Sequence, residues 1–95
     1  MDAIRFTWDA RKAAANAEKH GVTFEEAQTA FADERGLLID DPDHSAEEER
    51  FIMLGRSAFL RLIVVVHCYR QADDEIRIIS ARRANRVETE AYTTR

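Results

Sequence analysis

Two adjacent arginines, Arg82 and Arg83, are the residues of this sequence best suited to bind a phosphate group. They follow an Ile-rich segment, 75–81, that is typical of a buried strand, and they precede a segment with helical spacing, 84–92. Guanidinium groups bind phosphate bidentately and stay charged at any working pH. The sequence therefore predicts a phosphate site at the end of this strand. The alternative is that both arginines begin a solvated helix and pair with acids such as Glu88.

Other residues at predicted strand ends could assist chemistry at a phosphate. Arg50, Arg70 and Arg82 lie at such ends, and alternate strand ends of a meander are expected to converge on one edge of the sheet. In metal-free RNA cleavage, a general base removes the 2′-hydroxyl proton, a general acid protonates the leaving 5′ oxygen, and arginine stabilises the phosphorane. The available proton carriers are His20, His67 and Tyr92.

Structural interpretations compete with these functional ones. Lys12, Asn16 and Lys19 are spaced as a polar stripe, which is typical of a solvated helix face. His44 stands three residues before Glu47 and hints at a metal site, but no further ligands have the spacing of a zinc site. A solvated acidic loop is therefore the favoured interpretation of that segment, and no metal or other cofactor is expected.

Length and composition indicate one small globular domain spanning residues 1–95. The longest apolar run, 62–66, is strand-sized, and the N-terminus lacks the pattern of a signal peptide, so no membrane association is expected. The single cysteine, Cys68, cannot form an internal disulfide, which favours a reducing cytoplasm. For both Cys68 and its neighbour His67, a buried structural position is the more common case.

Charge is distributed unevenly along the chain. The formal net charge is −4, and residues 23–49 carry ten acids and one base, whereas residues 76–95 carry five bases and two acids. The overall negative charge argues weakly against a nucleic-acid binder. The distribution suits two charged partners on two surfaces, one surface that a partner masks, or simple solvation. If RNA is bound, the acidic segment 33–49 is expected to lie away from it, with a protein partner on the arginine-rich end.

Hydrophobic periodicity and turn residues predict an α+β fold with the order β-α-α-β-β-β-β-α. Gly21 ends the first helix, and Thr23 with Glu26 has the spacing of a capping box at the start of the second. A small antiparallel meander of three or four strands is expected, with the helices packed on one face. The predicted strands are 4–8, 37–39, 50–57, 61–69 and 75–81, and the predicted helices are 10–20, 24–32 and 84–92.

Taken together, these motifs resemble the BrnT toxin family. The two most specific stretches are KHGVTFEEA at 19–27 and IRIISARRA at 76–84, and the likeness runs from about Phe6 to Tyr92. The chain departs from the family at the turn 58–60, where members often carry glycine, and after Asp33, where they often carry proline. Further matching positions are Trp8, Asp9, Lys12, Asn16, Phe31, Asp40, His44, Ser45, Glu48, Glu49, Arg50, Gly55, Arg56, Ser57 and Glu88.

The resemblance implies a small bacterial toxin of a type II toxin–antitoxin system, with a fold like that of the RelE ribonucleases. Its activity would be RNA cleavage that stops translation. Its partner would be a BrnA-like antitoxin, whose ribbon-helix-helix part links the oligomeric complex to DNA. On the family's pattern, the catalytic residues would be His20, Arg50, Arg82, Arg83 and Tyr92, and the RNA-binding residues Lys19, Arg70 and Arg86.

Two functions of different classes remain open at this point. The first is a metal-independent endoribonuclease, and the second is a non-catalytic module of the same fold that binds protein or nucleic acid. A transcription regulator is a poorer third, because the sequence has no helix-turn-helix or basic recognition helix. The enzyme hypothesis requires that substitution of Arg82 and Arg83 abolishes cleavage and leaves the fold intact.

Overall fold

In a computed structural model, the chain folds into a five-stranded sheet with helices on both faces. The structure describes residues 4–41, 49–70 and 74–95. The strands are β1 (Arg5–Thr7), β2 (Leu37–Asp40), β3 (Phe51–Arg56), β4 (Leu62–Arg70) and β5 (Glu75–Arg83). The helices are α1 (Ala10–His20), α2 (Phe24–Thr29), which continues into a short 3₁₀ turn (Ala30–Ala32), and α3 (Arg86–Thr93). The predicted α+β class and element order are confirmed. No helix in these ranges is long and apolar enough to cross a membrane.

The strand order is β1-β5-β4-β3-β2, and the sheet is mixed. Strands β2 to β5 form the predicted antiparallel meander, but β1 pairs with β5 in parallel, with Phe6 opposite Ile76. The prediction of a wholly antiparallel sheet is therefore wrong at this edge. Most of the chain separates β1 from β5, so no hairpin forces these two strands to be antiparallel.

The larger core lies between the sheet and helices α1 and α2. The predicted apolar stripe of α2 is confirmed, because Phe24, Ala27 and Ala30 are fully buried. The continuous apolar run of β4 divides between the two faces as a central strand should, with Ile63 and Val65 in this core. The buried members of this core are Val22, Phe24, Ala27, Ala30, Ile63, Val65, Ile78 and Ala81.

Helix α3 covers the opposite face, so the helices do not all pack on one side as expected. The buried residues there are Leu54, Val64 and Tyr92, and Tyr92 is the buried residue that α3 supplies. Val87, whose spacing helped to predict this helix, is 74% exposed. Because α3 buries so little apolar surface, its polar contacts carry much of its attachment to the sheet.

The buried amide of Asn16 joins α1 to β5. Its Nδ2 donates to the carbonyls of Val22 (2.9 Å) and Ala81 (2.8 Å), and its Oδ1 accepts from the backbone N–H of Ala81 (3.1 Å). The side-chain amide thus pairs with β5 as the peptide of a neighbouring strand would, beyond the point where β1 ends at Thr7. The interpretation of Asn16 as part of a solvated stripe is therefore wrong.

Candidate active site

The predicted site residues lie at two opposite ends of the sheet. Arg50 precedes β3 and Arg70 ends β4, whereas Arg83 lies opposite Ile63 near the start of β4. Seven residues of extended strand separate Ile63 from Arg70, which corresponds to about 23 Å. The expectation that Arg50, Arg70 and Arg82 converge on one edge is wrong, because β5 runs antiparallel to β4 and ends where β4 begins.

Four arginines cluster where β4 begins, β5 ends and α3 starts. This group, Arg61, Arg82, Arg83 and Arg86, is termed the arginine rim. Strand β5 continues two residues beyond its predicted end and includes both Arg82 and Arg83. Side chains of successive strand residues point to opposite faces, so the two arginines face different helices.

Arg82 faces α3 and is paired with Glu88. Its Nη1 and Nη2 donate to the two carboxylate oxygens of Glu88 at 2.8 and 2.7 Å. Glu88 also accepts from the backbone N–H of Asn85 at 2.8 Å and so completes a capping box at the start of α3. The hydrogen bonds from Arg82 lower the pKa of Glu88, and those to Glu88 raise the pKa of Arg82. The alternative interpretation, that Arg82 pairs with Glu88, is confirmed for this residue.

Arg83 faces the side of the sheet that α1 and α2 cover. Its side chain is exposed and forms no hydrogen bond or ion pair with any residue in the described part of the chain. Its charge contributes to lowering the pKa of Glu26, behind the larger effect of hydrogen bonds from Arg61. Arg83 is therefore a guanidinium that a phosphate could reach without displacing a protein carboxylate.

The C-terminal end of α1 lies beside this arginine. Asn16 is hydrogen-bonded to Ala81, so one further turn of helix, about 6 Å, carries the chain to His20. Two further residues of β5, about 7 Å, carry the strand to Arg83. Lys19 and His20 are the last residues of α1, and the helix ends at Gly21, whose φ of 69° is left-handed. The structure thus brings Lys19, His20 and Arg83 to one end of the molecule.

The buried carboxylate of Glu26 holds Arg61, another member of the arginine rim. It accepts from Ser57 Oγ at 2.7 Å and from Arg61 Nε at 2.9 Å, and it also accepts from Arg61 Nη2. Arg61 Nη2 also donates to the carbonyl of Gly21 at 2.9 Å. The predicted capping box is therefore only half formed: Thr23 accepts from the N–H of Glu26, but the carboxylate of Glu26 turns to Arg61.

Tyr92 lies on the opposite face with its hydroxyl already bonded. The hydroxyl donates to Asp33 Oδ2 at 2.6 Å, which raises the pKa of Tyr92. Burial raises the pKa of Asp33, but hydrogen bonds from Tyr92 and from backbone N–H groups outweigh it, so that pKa is lowered. The guanidinium carbons of Arg56 and Arg95 lie 5.6 and 5.2 Å from the centre of the Tyr92 ring. These contacts hold α3 and the 3₁₀ turn together.

His67 and Cys68 are buried in β4 and have structural surroundings. The His67 Nδ1 lies 3.1 Å from the carbonyl of Val65, and its Nε2 lies 3.3 Å from the hydroxyl of Tyr69. Burial lowers the pKa of His67, so its imidazole is neutral at neutral pH. Cys68 is a buried free thiol. The structural interpretation of both residues is confirmed.

Metal-ligand groups are not assembled in the described ranges: no three His, Cys, Asp or Glu side chains there could hold one ion. The His44–Glu47 pair lies outside those ranges, as do residues 42–48 of the acidic segment 33–49. Its expected place away from RNA remains a prediction.

The sequence signals for this site were incomplete. Arg61 is one of many arginines in the sequence, and nothing local marks Glu26 and Ser57 as its supports or Asp33 as the partner of Tyr92. Glu26 and Ser57 are 31 residues apart, and Tyr92 and Asp33 are 59 apart. Such partners can be identified only once the pairing of the strands is known.

An α+β fold with a cationic sheet edge defines a small protein suited to an anionic ligand. Comparison with known proteins identifies the family to which it belongs. A family described as the ribonuclease toxin BrnT of type II toxin–antitoxin systems matches residues 8–88. The chain belongs to the BrnT family, which confirms the resemblance drawn from its motifs.

A solved structure agrees with this assignment. The crystal structure of the Brucella abortus ribonuclease toxin BrnT superposes with a TM-score of 0.67 and covers 88% of this chain and 100% of its own. The two sequences are 21% identical, so this likeness shows the fold alone. No curated protein matches the chain.

Proposed function

We propose that this family member is an endoribonuclease that cleaves RNA without a metal ion, with Arg83 as the residue that binds the scissile phosphate. The observation that carries the proposal is the position of Arg83 at the same end of the molecule as Lys19 and His20; it is exposed and has no ion-pair partner among the described residues. A guanidinium, an ammonium and an imidazole together can neutralise a phosphorane and transfer protons. Arg82 is a further cation of the site, on the opposite face of the sheet.

In the proposed reaction, the 2′-hydroxyl oxygen of the substrate attacks the adjacent phosphorus. His20 accepts the hydroxyl proton, because a neutral imidazole can act as a general base. Arg83 and Lys19 stabilise the negative charge on the non-bridging oxygens. The bond from phosphorus to the 5′ oxygen then breaks, that oxygen takes a proton from water, and His20 releases the proton that it holds to the solvent. The products are a 2′,3′-cyclic phosphate and a 5′-hydroxyl.

Glu88 must share Arg82 with the substrate. Two hydrogen bonds of 2.7 and 2.8 Å now engage the fork of Arg82, so a phosphate gains this arginine by competing with a carboxylate. Arg86 is exposed beside it and can contact a flanking phosphate. We assign to Arg86 a role in binding the RNA backbone.

The remaining expected site residues receive different roles. Arg70 lies about 23 Å along the sheet from the level of Arg83, and Arg50, which precedes the Phe51–His67 pair, lies about 16 Å along it, so neither can touch the same phosphate. We assign them contacts with more distant parts of the RNA. Tyr92, whose hydroxyl is bonded to Asp33, positions α3 and thereby Glu88 and Arg82.

The family supports the biological part of the proposal. RNA cleavage by this chain would stop translation in the cytoplasm, and a BrnA-like antitoxin would neutralise it in an oligomeric complex. DNA contact would come through the ribbon-helix-helix part of that antitoxin. A relation to the RelE ribonucleases belongs to the same proposal.

Cleavage of RNA in EDTA tests the chemistry. We expect the purified chain to cleave RNA and leave 2′,3′-cyclic phosphate ends. Arg83→Ala should lower kcat/KM by about 100- to 1,000-fold, the usual effect of removing one preorganised donor to a developing oxyanion. The matched control is Arg11→Ala, which removes an equally exposed charge from the opposite end of α1.

Three results would separate the candidate functions. Loss of cleavage by Arg83→Ala, with unchanged thermal unfolding and an active Arg11→Ala control, supports the enzyme. Equal activity of both variants contradicts the role of Arg83. A well-folded chain that binds RNA but cleaves none, with or without divalent metal, favours the non-catalytic binding module.

A further inference from the structure

The turn between β3 and β4 exposes two large apolar side chains. Phe59 is 69% exposed and Leu60 is 76% exposed. Turns usually carry glycine or small polar residues, and Leu60 adopts a left-handed φ of 64°, which costs free energy for a residue with a Cβ. A strained, exposed apolar turn is a feature of binding surfaces rather than of a protein's own stability.

Hydrogen bonds hold this turn in one conformation. The N–H of Ala58 donates to Thr29 Oγ1 at 2.8 Å, and the N–H of Phe59 donates to Ser57 Oγ at 3.1 Å. The N–H of Leu60 donates to the carbonyl of Ser57 at 2.9 Å. Ser57 is itself buried and bonded to α2 through Glu26. The two apolar side chains are therefore presented by a backbone that is anchored to the core.

The surroundings of the turn are cationic. Arg56 Nη1 lies 3.4 Å from the carbonyl of Leu60, and Arg61 directly follows the turn. Two residues further, Ile63 pairs with Arg83. Two acids near this turn are already engaged: Glu26 is buried and paired with Arg61, and Asp33 accepts from the N–H of Arg56 and from the hydroxyl of Tyr92. An exposed aromatic ring thus lies at the end of the sheet that carries the arginine rim and Arg83, the residue proposed to bind phosphate.

Single-stranded RNA combines the two chemistries that this surface offers. Its phosphates suit a row of arginines, and its unpaired bases stack on aromatic rings. An apolar partner surface would suit Phe59 and Leu60 alone but would leave the neighbouring charges unmatched. Charge complementarity therefore favours RNA as the occupant.

We propose that Phe59, supported by Leu60, stacks on an unpaired base of the RNA substrate next to the scissile phosphate. The inference rests on the proposed ribonuclease function and adds a determinant of substrate binding to it. Stacking of this kind positions the RNA without reading base edges, so it affects affinity for RNA more than the rate of the chemical step.

Three variants test the proposal in two assays. Loss of one stacked base weakens binding by about 5- to 150-fold. We expect Phe59→Ala to raise KM for RNA cleavage by a factor in this range, with kcat unchanged. Phe59→Trp should restore KM, because it keeps a stacking surface. Leu38→Ala is the matched control: Leu38 is 50% exposed on β2, away from the rim, and its loss should leave KM unchanged.

The second assay measures binding without cleavage. The probe is a short degenerate RNA with methylated 2′-hydroxyls, which lacks the nucleophile of the proposed reaction. On addition of this RNA, the emission of Phe59→Trp should fall more than that of the parent chain, in which Trp8 packs against Phe24. Binding by Phe59→Ala should weaken by the same factor as its KM rises.

The outcomes distinguish this inference from the function on which it rests. If the parent chain cleaves RNA and Phe59→Ala matches it in KM and in affinity for the methylated RNA, stacking is refuted and the ribonuclease stands. If the chain binds the methylated RNA through Phe59 but cleaves nothing, the reaction is refuted and the stacking surface stands. If Phe59→Ala weakens only the complex with the antitoxin, the surface binds protein and the proposal is wrong.

Discussion

Asn16→Ala should be the most damaging single change to a polar residue of α1. Asn16 is only 7% exposed, and its amide pairs with the carbonyls of Val22 and Ala81 and with the N–H of Ala81. Each buried backbone group left without a partner costs about 1–3 kcal/mol. Water that enters the site will satisfy part of the hydrogen bonding of these three groups, so we expect the free energy of unfolding to fall by about 3 kcal/mol.

Thermal unfolding followed by circular dichroism measures this loss. In a domain of this size, a change of 1 kcal/mol shifts the Tm by about 4–8 °C, so Asn16→Ala should lower it by about 12–24 °C. The control is Lys12→Ala, one turn earlier on the same predicted stripe and exposed, which should change stability by less than about 0.5 kcal/mol.

Asn16→Asp separates hydrogen bonding from side-chain volume. An aspartate keeps an acceptor for the N–H of Ala81 but has no donor for either carbonyl when ionised. It should therefore destabilise the chain at least as much as alanine does at neutral pH. A Tm for Asn16→Ala within about 2 °C of that for Lys12→Ala would refute the reasoning, because it would mean that the three hydrogen bonds contribute less than about 0.5 kcal/mol.

Three further predictions concern the acids of the two faces. Glu88→Gln should weaken the pair with Arg82 and lower stability by about 1 kcal/mol, as urea unfolding would measure, since the pair is partly solvated. Folding lowers the pKa values of Glu26 and Glu88, so the stability that these two ionised carboxylates give the folded chain is fully present above pH 4.5 and is lost as the pH falls through their folded pKa values. A Tm that is constant from pH 6 to pH 3 would contradict this. Tyr92→Phe should cost about 1 kcal/mol through its bond to Asp33, with kcat falling less than tenfold; a larger fall would make the hydroxyl a proton carrier.

Local signals predicted the elements of the fold because they depend on neighbouring residues. Asp9 caps α1 by accepting from the N–H groups of Arg11 and Lys12, and Gly21 ends it in the left-handed conformation. The apolar run of β4 has the composition of a strand covered on both faces, and this is where it lies. Each of these features can be read from a few successive residues.

Features that depend on strand pairing could not be predicted in this way. Asn16 has the spacing of a solvated stripe, and only the end of β1 at Thr7 leaves an edge of β5 for its amide to fill. Glu26 has the spacing of a capping box, and only the β3–β4 turn brings Arg61 to it. In both cases the spacing of the residue is visible in the sequence, but its hydrogen-bond partner comes from a distant part of the chain.

The two central arginines show how such pairing determines function. Arg82 and Arg83 are equivalent in sequence, but alternation along β5 directs one to α3 and the other to the α1 face. Arg82 finds Glu88 six residues away, whereas Arg83 has no carboxylate within bonding distance in the described part of the chain. A double substitution would therefore mix two effects: the loss of an ion pair that holds α3 and the loss of a free cation. Single substitutions separate them, since stability should follow Arg82 and transition-state binding should follow Arg83.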